Sequence, residues 1–175
     1  MWDLVIKGDD KMTLKSLRTN DCIDEIINKY SSMIYRIALT QTRSSSDADD
    51  IFQEVFFRYF KSNATFNSEE HRKAWLINVT LKCCKKLWSC SWNKKTMPLD
   101  NELSVEMSFE ESNVYNALLE LPTKYRTVIF LFYFEEMSIE EIHQTLGIKH
   151  STIRTQLTRG RTMLREKLKG EYFYE

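Results

Sequence analysis

Two groups of residues in this chain have types and spacings that could do chemistry. The first is a run of carboxylates, Asp47, Asp49, Asp50 and Glu54, with Gln53 among them. Clustered carboxylates can hold magnesium. No glycine-rich phosphate cradle, HExxH pair or nucleophile pattern accompanies them, so phosphoryl transfer or hydrolysis lacks its other half. The second group is Cys22, Cys83, Cys84 and Cys90. Zinc sites use thiols spaced so that they converge, whereas adjacent cysteines on a helix point to different faces. The expectation is ordinary reduced thiols, with no metal, no cofactor and no catalytic residue. What remains is the chemistry of recognition.

That chemistry is densest between residues 149 and 165. Ile153, Leu157, Gly160, Leu164 and Leu168 recur at spacings that put them on one narrow helical face. The rest of the helix carries Lys149, Ser151, Thr152, Arg154, Thr155, Thr158, Arg159, Arg161, Thr162 and Arg165. Small hydroxyl residues let a backbone approach DNA closely, and guanidinium forks pair with guanine edges or phosphates. A solvated basic face would show the same composition. The preceding residues favour recognition. Ser138 with Glu141 is a capping-box pattern; Ile139, Ile142 and Leu146 give a short helix its apolar stripe. Gly147 then supplies the left-handed joint, and Ser151 or Thr152 is placed to cap the second helix. The pattern is a helix-turn-helix.

The elements that must position this motif follow from composition and periodicity. Hydrophobic residues make up 42% of the 175, enough for ordinary cores, and four Gly with two Pro point to a mainly helical chain. Formal net charge is zero, yet its distribution is uneven. Residues 71–99 carry seven basic residues and no acid, and 149–170 carry seven more against Glu166 alone. Between them Asp100, Glu102, Glu106, Glu110, Glu111 and Glu120 form a stretch without Lys or Arg. Two basic patches joined by an acidic connector suit a nucleic-acid partner better than the total suggests.

In chain order, 1–19 is a leader without strong pattern, and Asn20 or Asp21 caps a core helix through Thr42. Ser44–Ser46 breaks that helix, and the helix that follows bears Asp49, Asp50, Gln53 and Glu54 as an acidic ridge, a docking face for a basic partner. After the polar loop 62–70, a helix from His71 to Trp92 has Trp75, Leu76, Val79, Cys83, Leu87 and Cys90 as its expected buried stripe, with Arg72, Lys73, Asn78, Lys82, Lys85 and Lys86 around it. Phe66, Trp75, Trp88 and Trp92 near this basic helix are what single-stranded nucleic acid binders use, charge for the backbone and rings for bases. Core packing is the other use of such rings. Pro98 lies in the linker, Pro122 ends a further helix, and 124–136 is apolar nearly all round over Val128 to Phe134. The apolar runs are too short for a transmembrane helix, and the first residues lack a signal-peptide pattern. A cytoplasmic location without membrane insertion is expected.

At this point the residues resemble a known family. The stretch ALLELPTKYRTVIFLFYFEEMSIEEIHQTLGIKHSTIRTQLTRGRTMLREKL is similar to region 4 of the extracytoplasmic-function (ECF) sigma factors of bacterial RNA polymerase. Leu121-Pro122, Tyr125-Arg126, Val128-Ile129, Ser138, Glu141-Ile142, Leu146-Gly147 and the Thr152–Arg165 helix carry that likeness. DADDIFQEVFFRYF resembles region 2.2, and AWLINVT the start of region 2.4.

The resemblance implies an all-α fold: a 1–19 leader, a region 2-like domain over 20–95, a flexible acidic linker over 96–110 and a region 4-like helix-turn-helix domain over 111–175. It implies that Asp49, Asp50, Gln53 and Glu54 dock on the clamp helices of core RNA polymerase. It further implies that the loop 62–70 with Arg72, Lys73, Asn78, Lys82, Lys85 and Lys86 engages the −10 element of promoter DNA. The −35 element falls to Lys149, Ser151, Thr152, Arg154, Thr155, Thr158, Arg159 and Arg161. An anti-sigma factor is an expected partner. The chain departs from the family's pattern at Lys82 and Lys86, which stand where Asn and Asp are usual, and at Asn78 and Gln156, which stand where basic residues are common. A −10 preference is therefore not carried over. Gly160 replaces a small Ala, and a glycine inside a helix costs about 1 kcal/mol relative to Ala, so a looser helix is expected. The alternative is a stand-alone helix-turn-helix regulator, which would have no use for the acidic ridge.

Overall fold

The computed structural model of the protein describes residues 23–62, 64–90 and 109–172. The expected leader and most of the linker lie outside them. Seven helices occur among the described residues: α1 (Ile23–Thr42), α2 (Ser45–Lys61), α3 (Glu69–Cys90), α4 (Phe109–Leu119), α5 (Thr123–Tyr133), α6 (Ile139–Leu146) and α7 (His150–Tyr172).

Helices α1–α3 pack as one unit. Ile26, Tyr30, Met33, Ile34 and Ile37, at spacings of three and four, form the buried face of α1. The turn out of α1 puts Arg43 at φ 62°, and the Ser44 hydroxyl then caps α2 by accepting from Asp47 N–H at 3.2 Å. The loop between α2 and α3 is pinned by Phe66, which is fully buried and stacks on Tyr59 with centroids 5.9 Å apart. Glu69, in the first turn of α3, ties that helix to α1. Its Oε2 accepts from Lys29 Nζ at 2.5 Å and from the Tyr30 hydroxyl at 2.6 Å. Burial raises the Glu69 pKa, but these two hydrogen bonds together with the charges of Arg72 and Lys29 outweigh it and hold the carboxyl below its ordinary value.

Helices α4–α7 form a second unit. Val128–Leu131 is buried at its centre, as the apolar run of α5 requires. The Arg126 guanidinium, only 4% exposed, donates to the Leu119 carbonyl at 2.5 Å and closes the end of α4 onto α5. Burial, and then the neighbouring Arg43, pull its pKa down to about 10.

The two units touch. Helix α3 packs on α6 and α1 on α5. Arg36 Nη2 donates to Glu135 Oε1 at 2.8 Å, Lys73 Nζ to the Glu135 carbonyl at 3.3 Å, and the Thr40 and Tyr115 hydroxyls share a hydrogen bond at 3.2 Å. This double use of α3 corrects its expected stripe. Leu76, Ile77, Thr80, Cys83 and Cys84 are buried, while Trp75, Val79 and Leu87 are only half-buried. Burial raises the pKa of both thiols, that of Cys84 to about 12. No helix among the described residues is long and apolar enough to cross a membrane.

Candidate nucleic-acid interface

The helix-turn-helix is built from local signals. Ser138 Oγ accepts from Glu141 N–H at 3.2 Å while Glu141 Oε2 accepts from Ser138 N–H at 2.7 Å, closing the capping box. Gly147 takes φ 68°, a left-handed value that costs other residues about 1–2 kcal/mol. The Lys149 carbonyl accepts from Ile153 N–H at 3.0 Å, so α7 opens at His150, slightly earlier than a cap at Ser151 or Thr152 would give.

Ile153, Leu157 and Gly160 are buried, and Leu164 and Leu168 half-buried. Lys149, Ser151, Thr152, Arg154, Thr155, Thr158, Arg159 and Arg161 are all exposed. The expected looseness at Gly160 is replaced by close packing. A Cβ there would stand 2.8 Å from Ile129 Cγ1, so the missing side chain is what lets α7 lie against α5.

The exposed face has its own chemistry. Thr155 and Thr162 donate their hydroxyl protons to the Ser151 and Thr158 carbonyls, at 2.8 and 3.1 Å. What they offer outward is a methyl group and an oxygen acceptor, a surface suited to thymine methyls and base-edge donors. Arg159 and Arg161 lie on opposite flanks. Arg159 and the Tyr125 ring line the same shallow pocket, and Arg159, with Lys124 second, holds the Tyr125 hydroxyl below its ordinary pKa. The Arg161 guanidinium lies 5.9 Å from the Phe132 ring centre and 5.7 Å from that of Tyr133. Tyr125 as the partner of Arg159 is not visible in sequence, because the contact joins α5 to α7.

The basic face of α3 is smaller than its composition suggests. Lys82, Lys85 and Lys86 are exposed and Asn78 half-buried. Arg72 is a correction: it is 1% exposed, 3.3 Å from Glu69 Oε1, with its guanidinium over the Phe66 ring at 5.5 Å. It is a core cation and not a DNA contact. Lys73 is half-buried and tied to Glu135. Of the four aromatics considered for base stacking, Phe66 is buried, Trp75 half-buried and Trp88 53% exposed; Trp92 lies outside the described residues.

On α2, Asp49, Asp50 and Gln53 are exposed, and Glu54 is half-buried and paired with Arg58 Nη2 at 2.6 Å. Phe57 escapes a reading of the sequence. It is 59% exposed and one turn on from Gln53 and Glu54, so the acidic ridge carries an aromatic at its end. Three phenylalanines of α2 already serve its apolar stripes, and nothing local marks the fourth as outward. Also unforeseen is an apolar groove of about 580 Å³ on the α4–α7 unit, lined by Val114, Leu118, Tyr133, Phe134, Leu164 and Leu168 among others.

Comparison with known proteins agrees with this geometry. The model of sigma-70 region 2 matches residues 26–93, and that of sigma-70 region 4 matches residues 111–164. The ECF RNA polymerase sigma factor SigW of Bacillus subtilis (strain 168) is 28% identical over 189 residues, spanning 95% of this chain and 98% of that protein. The RNA polymerase sigma factor SigV of the same organism is 28% identical over 167 residues, spanning 92% and 96%. Among solved structures, CnrH in complex with the cytosolic domain of CnrY superposes with a TM-score of 0.64 at 20% identity, over 85% of this chain and 88% of that one. The sigma factor RpoE bound to the anti-sigma factor NepR, from Bartonella quintana, gives 0.63 at 17% identity, over 83% and 96%. These two show the same helical fold.

Proposed function

Because the chain belongs to the sigma-70 family, in its ECF group, we propose the following division of labour among its residues. It is a promoter-specificity factor: it binds core RNA polymerase and directs transcription initiation, and makes or breaks no covalent bond itself. Asp49, Asp50, Gln53 and Glu54, with Phe57 beside them, dock on the polymerase. Lys82, Lys85 and Lys86 draw in the −10 region, and the exposed Trp88 is the ring available for an unpaired base. Thr155 and Arg159 read the −35 element, with Ser151, Thr152 and Thr158 lining the approach and Lys149, Arg154 and Arg161 on phosphates. The chain works in the cytoplasm, as two domains over 20–95 and 111–175 joined by the acidic segment 96–110. An anti-sigma factor holds it in check, as NepR is bound to the RpoE of the solved complex.

The observation that carries this reading is the pairing of an exposed acidic ridge on the first unit with an exposed Thr/Arg face on the second. A regulator that acts alone needs the second face and has no use for the first. The test is affinity capture with core polymerase, followed by transcription from promoter-variant templates. The full chain should bind core enzyme and confer transcription on it. Asp50→Lys should abolish capture with the helical circular dichroism intact. Tight, salt-insensitive duplex binding by the free chain without polymerase capture would instead support the stand-alone regulator.

A further inference from the structure

A cluster of nitrogen and oxygen ligands sits at the elbow of the helix-turn-helix, where α6 turns into α7. Glu140 and His143 lie three residues apart on α6, hence on one face. The left-handed turn at Gly147 brings His150, the first residue of α7, back onto that face. The rings of His143 and His150 are 4.2 Å apart between centroids. One ligand atom from each of Glu140, His143 and His150 lies within 4.8 Å of the other two.

Two of the three side chains are held by a further group. His143 Nδ1–H donates to the Ile148 carbonyl at 2.8 Å, which fixes the tautomer and leaves the Nε2 lone pair free. Glu140 Oε1 accepts from Gln144 Nε2 at 2.9 Å, and Oε2 from His150 Nε2 at 2.7 Å. A histidine whose second nitrogen is tied to a backbone carbonyl, next to an oriented carboxylate, is the arrangement of metal-binding imidazoles.

We propose that Glu140, His143 and His150 bind one divalent transition-metal ion of the zinc class, which clips the end of α6 to the start of α7. Two imidazoles and one carboxylate suit such an ion, whereas magnesium and calcium prefer oxygen-only shells. A tetrahedral ion with bonds of about 2.0–2.1 Å sets its ligand atoms about 3.3–3.4 Å apart, so the His150–Glu140 pair opens slightly to admit it, and the His150 proton moves from Nε2 to Nδ1 so that Nε2 offers its lone pair. The three side chains are exposed or half-buried, which gives the ion access and leaves a fourth position for water. The ion would lock the angle between the two helices just before Ser151 and Thr152. This inference is independent of the promoter-specificity reading, since it concerns binding by the free chain.

The test is titration of the reduced full-length protein with zinc ions against a chromophoric chelator. One equivalent should bind. His143→Ala/His150→Ala should abolish that equivalent, and Gln144→Ala should weaken it by about tenfold or more. Both histidine positions tolerate alanine in a helix, and circular dichroism reads whether the double variant is folded. Cobalt in place of zinc should show a ligand-field spectrum without a thiolate charge-transfer band, which separates this site from the cysteines. Zinc should raise the midpoint of thermal unfolding of the natural protein and leave that of the double variant unmoved. No binding to the natural protein, or an equivalent that survives in the double variant, overturns the proposal.

Discussion

The contact between the two helical units turns on Glu135, and its energetics make an asymmetric prediction. The residue is 9% exposed; its carboxylate faces Arg36 and its carbonyl faces Lys73. Burial is the largest influence on its pKa and raises it, and Arg36 and Lys73 offset only part of that. The ionised carboxylate therefore costs more to bury in the closed form than its partners return. Removing Arg36 takes away the offset and leaves the cost. Breaking a fully buried pair from one side costs about 3–5 kcal/mol. The Arg36 side chain is 43% exposed and Lys73 remains nearby, so the discounted figure is about 1–2 kcal/mol. That is a shift of about five- to thirtyfold toward the open form. Glu135→Gln, in contrast, keeps an acceptor for Arg36 and removes the buried charge, so it should leave closure unchanged or strengthen it. The pH dependence has the matching sign. A carboxyl with a raised closed-form pKa disfavours closure above that value, and the penalty disappears as pH falls toward the ordinary carboxylate value. Small-angle scattering and hydrogen exchange along the α3–α6 contact would measure the opening. If Glu135→Gln opens the protein while Arg36→Ala does not, the buried charge stabilises closure and the assigned sign is wrong.

Three further perturbations follow from single contacts. Phe57→Ala should weaken capture by core polymerase by about 2 kcal/mol, the size of an aromatic interface anchor, and change the unfolding midpoint little, because the ring is mostly exposed; equal losses in both would place it in the fold instead. Gly160→Ala gains about 1 kcal/mol of helix propensity but forces a Cβ onto Ile129, an overpacking that costs about 1–3 kcal/mol. A net loss of thermal stability is expected in calorimetry; a net gain would mean that Ile129 yields without cost. Arg159→Ala should relax preference at one −35 position and cost about 1–3 kcal/mol there, whereas Arg161→Ala should weaken promoters evenly and flatten the salt slope; the reverse pattern in promoter-variant transcription would mean that α7 enters the groove on its Arg161 flank.

What is legible in the sequence is local. The capping box of Ser138 and Glu141, the joint at Gly147 and the buried stripe of α7 each involve residues within a turn or two of one another. The acidic ridge is legible for the same reason, since Asp50, Gln53 and Glu54 share a face of one helix. Contacts between helices are not legible. Nothing near Phe57 distinguishes it from the three inward phenylalanines of α2, and nothing near His143 announces that the joint at Gly147 brings His150 against it. Gly160 reads as slack in the sequence because its neighbour Ile129 lies 31 positions away in the chain.

The same limit explains why composition overcounts the basic stretch of α3, and this changes where promoter discrimination should arise. Arg72 has the guanidinium fork best suited to a base edge, yet it is buried against Glu69 and Phe66. Lys73 is tied to Glu135 in the closed arrangement. The cations left exposed on that helix are Lys82, Lys85 and Lys86, and lysine acts on nucleic acid chiefly as a point charge. On α7 the balance is reversed: Arg154, Arg159 and Arg161 are all exposed. On the proposed reading, sequence discrimination through fork geometry should therefore arise in the second unit. On the same reading the first unit would contribute charge and a ring, Trp88, and its readout should depend on the ease of unstacking a base more than on hydrogen bonds to its edge.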